Sequence, residues 1–232
     1  MVTGASSGIG RAVGLELAAK GSGVWLVARR SDALEEVAEL ARRGGAKAFV
    51  AAVDLCDDAQ VGRLCERIRT EGGGVDILVH SNGVHARGAV GQAPVAQFDA
   101  QYRANVRAPY LLTQLLLPLL RERRGQVAFV NSSAVLQARP EVGQFAATQH
   151  ALRALADTLR QEVNADGVRV VSVYPGRTAT PRQAAIHAEE GRPYHPERLM
   201  RPEDVAVALV HALATARSAE ITDLFLRPML KT

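Results

Sequence analysis

Lysine is almost missing from this chain. It stands only at Lys20, Lys47 and Lys231, so nearly all of the 28 basic residues are arginine. No ammonium group lies between residues 47 and 231 to tune the pKa of a neighbour there. Cysteine is equally scarce: Cys56 and Cys65 are the only two and form no CxxC spacing, which excludes a disulfide framework and leaves no metal site to expect. No apolar run is long enough to cross a bilayer, so no membrane segment is expected. The opening "MVTGASSGIG" has neither the charged start nor the long apolar run of a secretory signal, and a cytoplasmic location is the expectation. Aromatic residues make up 4%, and the basic residues are scattered among acids instead of gathered with aromatics into a stripe. The net charge of +4 then reads as a solvated surface, with no nucleic-acid interface.

What is present suffices for one large domain over residues 1–232, with 47% hydrophobic and 22% charged residues. Short runs rich in Val and Ile ("GVWLVA", "AFVAAVD", "DILVHS", "QVAFVNS", "VRVVSVYP", "ITDLFLRP") alternate with segments of helical period. That alternation predicts an α/β fold, a doubly wound and mainly parallel sheet between two layers of helices. Among the helical segments are "SDALEEVAELARR", with Ser31 as its N-cap, and "AQFDAQYRANVRAPYLLTQLLLPLLRERR". The strand before the glycine loop has only "MVT" to draw on, so it is either unusually short or begun upstream of Met1.

"TGASSGIG" places Gly4, Gly8 and Gly10 where a strand turns into a helix, allowing backbone N–H groups and the helix dipole to approach a pyrophosphate. Gly4, Ser6, Ser7, Gly8, Ile9 and Gly10 are the candidate cradle. The same residues spell G-x-S-x-G, which in a hydrolase would make Ser6 a nucleophile. That reading is disfavoured, because a hydrolase elbow follows several strands and this loop follows none. After the next strand, Arg29 and Arg30 can meet a 2′-phosphate where an acid would meet a ribose hydroxyl. Asp54, followed by Leu55, ends a third strand, where it can accept a hydrogen bond from an adenine amine.

In this order and spacing the motifs resemble the short-chain dehydrogenase/reductase family in its TGxxxGxG form, from end to end of the chain. "RANVRAPYLLT" is similar to the family's active-site asparagine helix, with Asn105, and "FVNSSAV" to its serine strand. "VRVVSVYPGRTATP" is similar to the segment that closes over the nicotinamide, with Pro175, Gly176, Thr178 and Thr180 in place. The resemblance implies a Rossmann-like fold, an NADP(H) cofactor and a small-molecule carbonyl or alcohol substrate. It also implies a substrate lid near residues 182–200 and a homodimer or homotetramer built through the helices around Asn105 and Phe145.

The pattern breaks where the chemistry should be. The family's proton donor is a tyrosine with a lysine four residues on, and "FAATQHAL" puts Phe145 and Gln149 at those positions. The family's serine, thirteen residues before the tyrosine position, becomes Ser132, with Ser133 as the fallback. Tyrosine occurs elsewhere only at Tyr102, Tyr110, Tyr174 and Tyr194, so neither lost group is replaced locally. Phe145 fills the ring's space without a proton to give, while Gln149 can still bond ribose hydroxyls. In "LVHSNGV", His80, Ser81 and Asn82 stand where the family has asparagine, asparagine and alanine, and Gly83 is retained. Ser81, Asn82 and Gly83 are expected beside the cofactor; His80 reads as a satisfied strand-end residue before it reads as a ribose contact. His150 points away from the Phe145 and Gln149 face, and Tyr194 and His195 lie in the lid. The expected function is an NADP-binding oxidoreductase of non-standard or impaired proton transfer, the proton coming from Ser132, water or a lid residue. The alternative is a catalytically silent NADP-binding protein acting as a sensor or partner subunit.

Overall fold

The computed structural model describes residues 1–230. Seven parallel strands form one sheet: β1 Val2–Thr3, β2 Val24–Ala28, β3 Ala48–Ala52, β4 Ile77–His80, β5 Gln126–Val130, β6 Arg169–Pro175 and β7 Asp223–Leu226. Their spatial order is β3-β2-β1-β4-β5-β6-β7, so the connections run outward in both directions from the β1/β4 pair. A doubly wound sheet opens a crevice at such a reversal, at the carboxyl ends of the strands. β1 is indeed short, two residues paired with Leu26 and Val27 on one side and Val79 on the other.

The helices are α1 Gly8–Ala19, α2 Ser31–Arg43, α3 Asp58–Glu71, α4 Val95–Tyr102, α5 Ala108–Glu122, α6 Gly143–Val163, α7 Pro181–Glu189 and α8 Pro202–Leu213. They cover both faces, which is why the strands read as continuous apolar runs and not as alternating ones. On one face Val13, Leu17, Leu34, Val37, Val205 and Leu209, from α1, α2 and α8, pack on Val2, Leu26 and Val79. On the other, Ile68 of α3, Leu112, Leu116 and Leu120 of α5, and Ala156 and Val163 of α6 pack on Val27, Leu78 and Val127.

Two local expectations are corrected. Ser31 is the first helical residue of α2 and not its N-cap; the cap position is Arg30, still extended, with no side-chain bond to the helix end. The long segment around Asn105 is not one regular helix: α4 and α5 are joined by a π-helical stretch over Arg103–Arg107. Pro109 has no N–H for the i→i−4 bond that the Asn105 carbonyl would otherwise accept, and the ladder widens there. The widened turn carries Asn105, a placement the helical period alone does not reveal.

Candidate functional site

The segments at the carboxyl ends of all seven strands, β1 to β7, surround one cleft of about 1450 Å³. Gly4 and Gly8 take left-handed backbone, with φ of 63° and 54°. A Cβ on Gly4 would meet the Ser81 carbonyl oxygen at 2.5 Å, and one on Gly10 would meet the Gly4 carbonyl oxygen at 2.4 Å. The loop is closed down on β4 and on itself in a way that only glycine allows. Ser7, the N-cap of α1, makes no side-chain capping bond, so the first N–H groups of that helix remain available to an anion at the cleft floor. Ser6 and Ile9 line the same floor. No histidine is hydrogen-bonded to Ser6 among the described residues, which removes the general base a hydrolase would need.

Arg29 and Arg30 stand exposed at the cleft edge after β2, and neither is paired with a carboxylate among the described residues. Asp54 lines the cleft after β3; one carboxylate oxygen accepts from the Cys56 N–H at 2.9 Å, which pins its turn, and Leu55 is buried behind it. Burial and the neighbouring Asp54 push the Cys56 thiol up, so it is not a poised thiolate.

Ser81, Asn82 and Gly83 follow β4. The Thr3 hydroxyl accepts from the Ser81 and Asn82 N–H groups at 3.0 and 3.3 Å and donates to Asn82 Oδ1 at 2.9 Å. Asn82 Nδ2 donates to the Ala104 carbonyl at 3.0 Å, so its side chain serves the protein and only its backbone serves the cleft. His80 does not reach the ribose side: it is buried, stacked on Phe129 at 4.9 Å, with Nε2 2.8 Å from the Thr113 hydroxyl. Burial lowers its pKa to about 3, so it is a neutral strand-end residue.

Asn105 is buried, accepting from the Val84 N–H at 2.7 Å and donating to the Val84 carbonyl at 3.0 Å and Thr148 Oγ1 at 3.1 Å. It clamps the β4 loop to α6. Ser132 caps a short 3₁₀ turn, its Oγ accepting from the Ala134 N–H at 3.1 Å, which leaves its O–H to donate into the cleft. Ser133, next along, also lines the cleft. Asn131 fixes this edge: it accepts from the Ser132 N–H at 2.7 Å and donates to the Gln149 carbonyl at 3.0 Å. Phe145 is half-buried and Gln149 buried, and both line the cleft. Pro175 ends β6 and Gly176 follows it; Thr178 is buried, and the Thr180 hydroxyl caps α7 by accepting from the Gln183 N–H at 3.2 Å.

The family model described as short chain dehydrogenase matches residues 1–191. Sepiapterin reductase of Chlorobaculum tepidum is 30% identical over 236 residues, covering 98% of this chain and 95% of that protein. The chain belongs to the short-chain dehydrogenase family. Glycine betaine reductase of Emericella nidulans is 32% identical over 98% of this chain, but the chain spans only 18% of that protein's length. The alcohol dehydrogenase of Thermococcus sibiricus complexed with 5-hydroxy-NADP superposes with a TM-score of 0.90 at 26% identity, covering 100% of this chain and 96% of that one. L-sorbose reductase of Gluconobacter frateurii, complexed with NADPH and L-sorbose, superposes at 0.87 with 27% identity, covering 100% and 95%.

The end of the cleft beside Phe145 in this short-chain dehydrogenase holds residues that motif reading passed over. His85, five residues after His80, meets the Phe145 ring edge-on at a centroid distance of 4.8 Å and lines the cleft. Its presence in a loop at the carboxyl end of a central strand was the available signal. Burial, with repulsion from Arg182 and Arg87 and an opposing pull from Glu190, lowers its pKa to about 4. Arg182, at the start of α7, donates to the Gly83 carbonyl across the cleft. It is accessible from the cleft but ringed by protein, and that enclosure lowers its pKa without removing its charge.

Glu190, just past α7, bonds Arg87 from the β4 loop and, at 2.9 Å, Arg177 from the β6 loop. Burial alone would raise its pKa, but the bonds from Arg177 and Arg87 outweigh it and hold the carboxylate below its ordinary range. This ion-pair cluster tethers the expected lid to both cleft walls. Tyr194 packs edge-on against His187, His195 pairs with Glu197, and neither lines the cleft. His150 is exposed and bonded to the Ala146 carbonyl of its own helix.

Proposed function

We propose that this short-chain dehydrogenase binds NADP(H) in the cleft and acts on the carbonyl or alcohol group of a small molecule, with non-standard or impaired proton transfer. The observation that carries the reading is the cofactor end: a glycine floor with no room for a Cβ at Gly4 or Gly10, an uncapped helix N-terminus, and two arginines without carboxylate partners among the described residues. The nicotinamide, when bound, supplies the hydride. Gly4, Ser6, Ser7, Gly8, Ile9 and Gly10 would hold the pyrophosphate, Arg29 and Arg30 the 2′-phosphate, and Asp54 and Leu55 the adenine. The backbone of Ser81, Asn82 and Gly83 with the Gln149 amide would face the ribose, and Pro175, Gly176, Thr178 and Thr180 would close over the nicotinamide. Ser132 would orient the carbonyl, and Asn105 would keep the β4 loop and α6 in register.

The test is a fluorescence titration with NADPH and with NADH, followed by a panel of ketones, aldehydes and quinones. Replacing Arg29 and Arg30 together by alanine is expected to weaken NADPH about 10–100-fold, roughly 1.4–2.7 kcal/mol, and NADH by less than threefold. Equal losses for both cofactors would remove the 2′-phosphate assignment, and bound NADPH that no carbonyl oxidises would remove the reductase reading.

A second reading has its own support. Among the described residues the cleft is lined by no tyrosine and no lysine, and Phe145 has no proton to give. A catalytically silent NADP-binding protein, acting as sensor or partner subunit, fits that lining, and the same panel separates the two readings. Under either reading we propose a homodimer or homotetramer built through α5 and α6, in keeping with the exposed Tyr110 and Leu115 on α5. Sedimentation at assay concentration tests this, and a monomer would count against it.

A further inference from the structure

We propose that His85 stands in for the missing tyrosine, donating an imidazole N–H to the substrate's carbonyl oxygen across the face of Phe145. The proposal rests on the reductase reading above and adds the group that completes its chemistry. Three observations carry it. The His85 ring touches the Phe145 ring, so any carbonyl seated against Phe145 lies beside the imidazole. Neither ring nitrogen of His85 has a hydrogen-bond partner among the described residues, whereas His80, His150, His187 and His195 each have at least one; His211 lies outside the cleft on α8.

The third observation is elimination. The other ionisable groups on the cleft wall that could give up a proton are bonded elsewhere or exposed: Asp54 and Cys56 bond each other in the turn after β3, and Glu190 is locked between Arg87 and Arg177. Asp99 is an exposed carboxylate on α4. The arginines keep their protons.

The proton balance is as follows. A carbonyl that receives a hydride from reduced nicotinamide dinucleotide at carbon moves its π pair onto oxygen, and that oxygen needs one proton. The oxygen takes that proton from cleft water, which leaves as hydroxide, while the His85 N–H stays intact and donates a hydrogen bond to the oxygen as negative charge gathers on it. Arg182 and Arg87 repel a charged ring, and Glu190, facing the same loop, opposes them only in part. The neutral imidazole is therefore the donor, acting as a hydrogen-bonding electrophile, and this mode of action does not require the imidazolium.

The experiment compares native protein with His85→Ala and His85→Gln for NADPH affinity and carbonyl turnover, and follows the His85 ring signal by NMR in NADP⁺-loaded protein as the product alcohol is added. His85→Ala is expected to lose about 100-fold in kcat with NADPH affinity within threefold of native, and His85→Gln, which keeps an N–H donor, to recover part of the loss. The ring signal is expected to shift on adding the alcohol, to titrate near pH 4 without it, and to titrate at higher pH in Arg182→Leu. Turnover in His85→Ala within threefold of native, or a ring signal indifferent to the alcohol, overturns the proposal and leaves the reductase reading standing. Native protein that binds NADPH and turns over nothing overturns both. Unchanged NADPH affinity in the variants shows that they are folded.

Discussion

Phe145→Tyr combined with Gln149→Lys is expected to raise carbonyl reduction by about 10–100-fold over the native protein, roughly 1.4–2.7 kcal/mol of barrier, because a positioned acid is worth about 10²–10⁴-fold and His85 already supplies part of it; NADPH affinity should change little. The two positions are one helical turn apart on α6, both face the cleft, and Asn131 already ties the serine edge to the Gln149 carbonyl. A hydroxyl added to the Phe145 ring therefore enters a cleft whose other walls are in place. A lysine at position 149 would lose hydration, because Gln149 is only 5% exposed, but the Thr148 hydroxyl, 3.4 Å from the present amide nitrogen, offers it an acceptor. Its charge would then bring the tyrosine pKa down from about 10. Each single replacement is expected to fall well short of the pair, since tyrosine without the cation stays too weak an acid and lysine without tyrosine has nothing to tune. Steady-state kinetics on the substrate that turns over best makes the comparison. A pair no faster than native, with NADPH still bound, would show that the proton is not what limits this site.

The second large effect is expected at the other end of the cleft. Gly8→Asp should weaken NADPH about 100-fold or more, roughly 2.7 kcal/mol, by placing a carboxylate where the proposed pyrophosphate would approach the start of α1. The fold should survive the change. Gly8 has φ of 54°, which aspartate tolerates better than most residues, and the added Cβ meets only the Thr180 side chain, its methyl at 3.1 Å and its Cβ at 3.4 Å. Calorimetric titration with NADPH, alongside a melting curve, checks both halves. Affinity within threefold of native would mean that the dinucleotide does not lie on this loop.

These two expectations draw on information of different kinds. The glycine loop is local: a turn that needs left-handed backbone and close approach must be written with glycine, so Gly4, Gly8 and Gly10 can be read from the chain alone. The sheet is nearly as legible, because strands covered by helices on both faces must be apolar throughout, and all six quoted runs became strands. The place of Phe145 and Gln149 on one face of α6 followed from helical period. The N-cap of α2 missed by one residue, because a serine near a helix start does not by itself say which carbonyl begins the ladder.

The Phe145 end of the cleft was not legible, and the reason is distance along the chain. Arg87 meets Glu190 across 103 residues, and Arg182 reaches the Gly83 carbonyl across 99. Neither pair carries a motif, and a sequence with 28 basic residues offers many partners for any acid. His85 and His80 are five residues apart and similar on paper, yet one ring is sealed against Phe129 and Thr113 while the other opens onto Phe145. The sequence by itself determined the α/β order, the glycine floor, the arginine pair and the absence of a tyrosine and lysine on α6. Only the tertiary structure decided which histidine faces the cleft and how the segment after β6 is tethered. Those outcomes depend on which loops the doubly wound sheet brings together at its carboxyl edge, and no local run of residues encodes that meeting.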